Sequence, residues 1–283
     1  MATAISMFSL AARPRGRSFF LPREHGAWGM LFVPLVAGAA AGNPGGERIV
    51  WILLFALASL GMFCLRTPVE AALGLSALRP QNDGERRLVY SFIFLYASVS
   101  LVALAVLIFV ARAYGLLLLG AAAAMASLLQ AILKRMGRAT RMNSQLTGSI
   151  ALSSTAAAAY YLATGHFGPI ALMLWLLNWI FSADQIHFVQ LRIHSARAKS
   201  LREKLRAGKG FLAHQALALL VLVFMLKVGW LPGLIMIAFS PLFARSAAWF
   251  LESPRALKVN RLGITELTYA VVFGLFFIAG FHY

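Results

Sequence analysis

The sequence predicts an all-α, polytopic transmembrane bundle of nine helices, with its N-terminus cytoplasmic and its C-terminus external. Three observations carry this expectation. The 283 residues are 60% hydrophobic and only 12% charged, against roughly 25% charged in an average soluble domain. Apolar stretches long enough for helices recur along the whole chain, with a mean hydropathy of +0.77. The basic residues fall almost entirely in every second loop between those stretches. This composition excludes an ordinary soluble domain, and it excludes a disordered chain, which needs low hydrophobicity. The net charge of +17 would suggest nucleic acid in a soluble protein. In a chain this apolar it points to the cytoplasmic face of a membrane, and no nucleic-acid partner is expected.

A spanning helix needs about 20 mostly apolar residues. The candidate spans run over 25–42, 49–65, 88–110, 113–133, 144–164, 168–190, 211–227, 229–250 and 264–282. They divide the chain into a basic cytoplasmic segment, 1–22, and a single membrane domain, 23–283. The start does not read as a secretory signal, because Arg13, Arg15 and Arg17 follow the first apolar residues instead of preceding them. With the N-terminus inside, 22 of the 26 basic residues lie on the cytoplasmic side. Only Arg48, Arg112 and Lys227 lie opposite, and Arg245 lies within the eighth helix. That asymmetry sets the orientation. The cluster Ala41-Gly42-Asn43-Pro44-Gly45-Gly46 reads as a turn between the first two helices. Pro68 is expected to tilt or end the second helix, and Arg79–Gly84 to break any helix there. The basic stretch 192–209 reads as a surface helix, either a solvated topology determinant or a binder of anionic head groups. The single cysteine, Cys64, excludes an internal disulfide and reads as a buried, inert thiol.

Ionisable groups at membrane depth are costly, so each is a candidate for function. Here they cluster at the cytoplasmic ends of the helices, which implies a polar pocket open to the cytoplasm over an apolar interior. Glu24 and His25 stand at the mouth of the first helix, and Arg66 and Glu70 at the end of the second. Asn143 and Gln145 open the fifth, while Asp184, His187, Gln190, Arg192 and His194 end the sixth. His214 opens the seventh, Arg245 lies in the eighth, and Glu266 opens the ninth. Asp184 and His187 share a helix face, an arrangement suited to general acid–base chemistry. Glu24, His25, Asp184 and His187 are therefore the candidate catalytic groups. Arg66, Glu70, Arg192, Arg245 and Glu266 are the candidate binding groups. Arg66 and Glu70, spaced i and i+4, could equally pair with each other. Arg245 needs a partner, with Glu266 and Asp184 as the natural choices. No compact metal-ligand spacing occurs, so no metal site is assigned.

Glu24-His25-Gly26-Ala27-Trp28, followed by an apolar helix with Pro34 and Gly38, resembles the opening of the bacterial YwiC-like membrane proteins. Arg66-x-Pro68 and Arg261-Leu262-Gly263-Ile264-Thr265-Glu266-Leu267 agree with that resemblance. It implies a multi-pass protein of the bacterial cytoplasmic membrane and no particular reaction. Asn178-Trp179 followed by Asp184-Gln185 and Arg192 is more distantly similar to the sixth-helix region of the UbiA prenyltransferase superfamily. That likeness implies nine helices, a cytoplasm-facing cavity and Mg²⁺ held by two Asp-rich motifs against a prenyl diphosphate. The chain departs from the pattern: the second-helix region offers Glu70, Asp83 and Glu85, and the sixth offers only Asp184. The function these residues suggest is binding of, or action on, a lipid, isoprenoid or quinone-like ligand among membrane lipids. A small-solute or ion transporter, or a membrane scaffold, is the alternative. The oligomeric state is not legible.

Overall fold

The computed structural model describes residues 22, 25–76, 79–196, 198, 200–252 and 257–282. Among them are ten α-helices and no strand. They are α1 (His25–Ala41), α2 (Glu47–Ala72), α3 (Asp83–Phe109), α4 (Gly115–Arg135) and α5 (Arg141–Thr164). After these come α6 (Pro169–His194), α7 (Leu201–Ala207), α8 (Lys209–Lys227), α9 (Ile235–Leu251) and α10 (Val259–His282). Each expected span overlaps one of these helices, but they are not equally suited to a bilayer. Six are long and apolar enough to cross it: α2, α3, α4, α6, α8 and the Asn260–His282 part of α10. The protein is thus a helical, multi-pass membrane protein. α1 and α9 are apolar but shorter, at 17 residues each, about 26 Å at 1.5 Å per residue. α5 has the length, with 24 residues, but not the apolar composition.

The composition of α5 is explained by where it packs. It runs among α1, α2, α4 and α6, and its Ser, Ala and Gly residues are almost all buried. Small residues let helix backbones approach closely. At Gly38 of α1 a Cβ would fall on the backbone carbonyl of Ala156, and at Gly42 it would fall on the Ala163 Cβ. A helix enclosed by its neighbours does not face lipid and has no need of large apolar side chains. The opposite case is the pair α3 and α4, where Phe94, Leu101, Phe109, Leu118, Met125 and Leu128 point outward. Such a surface is at home in hydrocarbon and costly in water.

Several boundaries differ from the sequence expectation, each for a local reason. α2 continues through Pro68 to Ala72, and Pro68 is buried. α3 starts at Asp83, not at 88, because the Asn82 side chain accepts a hydrogen bond from the Glu85 N–H at 2.7 Å and caps the helix. α9 starts at Ile235, not at 229, since Gly229 is in the left-handed region at φ 72° and Pro232 follows. Within the basic stretch, residues 192–194 end α6, Leu201–Ala207 form the short α7, and Lys209 opens α8. The stretch is not wholly solvated. Lys204 is buried, and its Nζ donates to the carbonyls of Trp249 at 2.8 Å and Glu252 at 2.6 Å. It thereby serves as a cationic cap on α9, whose last carbonyls have no intrahelical partner. Arg48 does the same for α5, donating to the Ala163 carbonyl at 2.9 Å. Cys64 is buried, as expected.

Candidate functional site

Between α6, α8, α9 and α10, at the end of the bundle where the basic loops gather, four helices contribute polar groups to one buried cluster. Arg245 of α9 is its centre. Its Nη2 donates to Asp184 Oδ2 of α6 at 2.6 Å, and its Nη1 donates to Glu266 Oε2 of α10. The sequence offered the two carboxylates as alternative partners, and the arginine takes both. Arg245, Asp184 and Glu266 are 6, 4 and 2% exposed. Gln215 of α8 donates from one amide to Asp184 Oδ1 at 3.0 Å and Ser246 Oγ at 2.8 Å. Gln185 donates to the Glu266 backbone carbonyl at 2.7 Å. The guanidinium also lies 4.0 Å from the centre of the Phe188 ring and 5.3 Å from that of Tyr269, which favours a cation.

The cluster is anchored unevenly. Both Asp184 oxygens have partners, whereas Glu266 Oε1 and Arg245 Nε are buried with none among the described residues. Beside Asp184, His187 of α6 meets His214 of α8 edge to face, with ring centres 4.4 Å apart. His187 Nδ1 and His214 Nε2 are likewise buried and unpartnered among the described residues. Among the described residues these charged groups are enclosed by their neighbours, where the sequence suggested groups facing an open pocket. Directly beyond the cluster lies an apolar layer, with Phe181 stacked on Phe273 at 3.9 Å and Phe239 and Phe277 against them.

The other candidates divide. Arg192 lies near the cluster, half-buried over the rings of Phe188 and Trp249 at 5.7 and 5.9 Å. Arg66 and Glu70 are elsewhere, in a second ion cluster between α2 and α4. Glu70 accepts from Arg66 Nε at 2.9 Å and from Lys134 Nζ at 2.6 Å. Glu24 lies outside the described residues, as does the side chain of His25. His194 is exposed, its Nδ1 2.7 Å from the Gln190 carbonyl of its own helix, and Gln190 donates to Gln145 at 2.7 Å. Sequence reasoning missed Gln215, Ser246 and Tyr269, and singled out Gln185 only within the sixth-helix likeness. For Gln215 a signal existed, an amide in the apolar run of α8, but nothing local indicated its partner.

Mg²⁺ requires several oxygen ligands. The two carboxylates of this cluster already converge on a guanidinium, so they do not fit a Mg²⁺–diphosphate centre. No group of three His, Cys, Asp or Glu among the described residues is arranged to hold a metal ion.

Residues 21–160 match the family model described as YwiC-like protein. Over that stretch the chain is similar to the YwiC-like family. The matched stretch covers α1–α4 and most of α5, including the Glu24-His25-Gly26-Ala27-Trp28 string and the Arg66–Glu70 pair. The buried cluster lies beyond the matched stretch, in α6–α10. No curated protein and no solved structure matches the chain.

Proposed function

We propose that this YwiC-like protein binds an amphiphile with an anionic head group, of the lipid, isoprenoid or quinone-like class, at a polar mouth on its cytoplasmic side. The reading includes nine spans in a bacterial cytoplasmic membrane, the N-terminus inside, the C-terminus outside, and a UbiA-like arrangement without the Mg²⁺ site. One observation carries it. Buried charge from α6, α9 and α10, with an amide from α8, is gathered at one end of these helices, against a layer of stacked phenylalanines. A ligand with a charged head and an apolar tail is complementary to that sequence of environments. Arg245 and Arg192 are the cations for the head group. His187, one turn from Asp184, is the group for moving a proton if the bound ligand reacts. Glu24 and His25, adjacent in the sequence, are assigned to the mouth, and Arg66 with Glu70 to its rim.

Native mass spectrometry of the full chain, extracted in mild detergent, tests this. The expected result is a retained anionic or prenyl lipid whose occupancy falls in Arg192→Gln. A chain that carries no amphiphile, yet passes a small solute in proteoliposomes, would sink the proposal in favour of a transporter.

A further inference from the structure

Arg245 has one positive charge and two carboxylates in direct contact, and those carboxylates are not held alike. Asp184 is fixed from both sides, by Gln215 on Oδ1 and by Arg245 on Oδ2. Glu266 is fixed only through Oε2, and its Oε1 has no partner among the described residues. Arg245 also keeps one donor, Nε, unused among them. An oxyanion arriving at Arg245 therefore meets one carboxylate tied down by a second helix and one that is not. Glu266 is the group it displaces.

We propose that binding of an oxyanion head group at Arg245 is coupled to uptake of one proton by Glu266. This rests on the amphiphile reading above and adds the coupling to it. The physical reason is charge. Before binding, Glu266 is an anion paired with Arg245. After exchange, the ligand's oxygens take the guanidinium, and a carboxylate that is 2% exposed is left beside a second anion. An ionised carboxylate buried without its cation is strongly disfavoured. Forming an O–H bond with a proton from the aqueous side removes that cost. The exchange balances: one anion and one proton enter, the ion pair Glu266–Arg245 becomes ligand–Arg245, and no other bond breaks.

The surrounding groups limit where else the proton could go. From α6, Asp184, His187 and Arg192 face the cluster, and from α8, His214. From α10 Tyr269 lies against the guanidinium. From α7, Lys204 reaches the ring and carbonyl of Trp249 and the carbonyl of Glu252, just past the end of α9. α1, which packs on α10, brings only His25 at its start, with a side chain outside the described residues. His187 and His214 are thus the competing proton acceptors.

Isothermal titration calorimetry of the full chain in non-ionic detergent, with dihexanoyl-phosphatidylglycerol as probe, measures the coupling. Its phosphodiester does not titrate across neutral pH. Runs in two buffers of different ionisation enthalpy report the protons taken up. The expected result is about one proton per ligand, with affinity weakening about tenfold for each pH unit of increase, the slope for one linked proton. Glu266→Gln should bind with neither uptake nor slope. Wild-type binding with no uptake overturns the coupling, and uptake that persists in Glu266→Gln moves the proton to the histidines and overturns it too. If Glu266→Gln does not fold, His187→Gln with His214→Gln decides: uptake that persists there supports Glu266, and uptake that is lost overturns the coupling. Failure of the folded wild type to bind the probe sinks the amphiphile reading itself. Sulfate serves as the free-anion arm: equal binding of sulfate with the same proton uptake supports the coupling but removes the lipid from the reading.

Discussion

Arg245 is enclosed by Asp184 and Glu266 with almost no access to solvent. Removing the cation leaves two buried anions facing each other, a change that costs about 3–5 kcal/mol where a buried pair is broken. Arg245→Gln is therefore expected to lower the unfolding temperature in detergent strongly. Adding Asp184→Asn and Glu266→Gln to it should recover most of the loss, since amides carry no charge to bury. An Arg245→Gln protein as stable as the wild type would show that the triad bears no such burden. Lys204 is a milder case. Lys204→Met keeps the aliphatic stem but removes two charge-assisted hydrogen bonds to the end of α9. Hydrogen bonds to charged groups are worth about 1.5–3 kcal/mol, so hydrogen exchange in the last turn of α9 should accelerate while the other helices stay protected.

Among elements, α1 and α5 depend most on small residues. Gly38→Leu would drive a side chain into the Ala156 backbone, which cannot move aside without shifting a whole helix. Loss of monodisperse protein on size exclusion is the expected outcome. Gly26→Ala, where a Cβ meets nothing within 4 Å among the described residues, should be tolerated and gain a little helix propensity. If both variants behave alike, the close α1–α5 crossing is not a constraint. These elements also mark how far local reading reaches. Gly38 was legible as part of a motif, but its partner Ala156 was not, because the two are far apart in the chain. The Asn82 cap was legible in principle. It was masked by a turn-forming string, Arg79–Gly84, that suggested only helix breaking.

For the whole molecule the open quantity is parity. Six spans, the number long and apolar enough by composition, would return the C-terminus to the side of the N-terminus. Nine would put the two ends on opposite sides. A C-terminal alkaline phosphatase fusion is expected to be active and a C-terminal fluorescent protein dark. The reverse result would remove the nine-span topology and its assignment of the cytoplasmic mouth. The added spans would be α1, α5 and α9, and each has a reason to fall short in length or apolar composition: two are short, and one is enclosed by other helices.

Hydropathy and charge, read without any structure, determined that the chain is a helical membrane protein with its basic residues concentrated at one end of its helices. These properties are sums over neighbouring residues, so they survive without knowledge of packing. The resemblance carried by Glu24-His25-Gly26-Ala27-Trp28 was likewise local. What only the tertiary structure decided is which polar groups meet. Arg245 stands 61 positions from Asp184 and 21 from Glu266, on three different helices, and no periodicity within one helix encodes a contact with another. The same holds for the His187–His214 contact and for the separation of Arg66 and Glu70 into a cluster with Lys134. Helix formation follows from the order of residues, but the site follows from how the helices are arranged around α5 and α1.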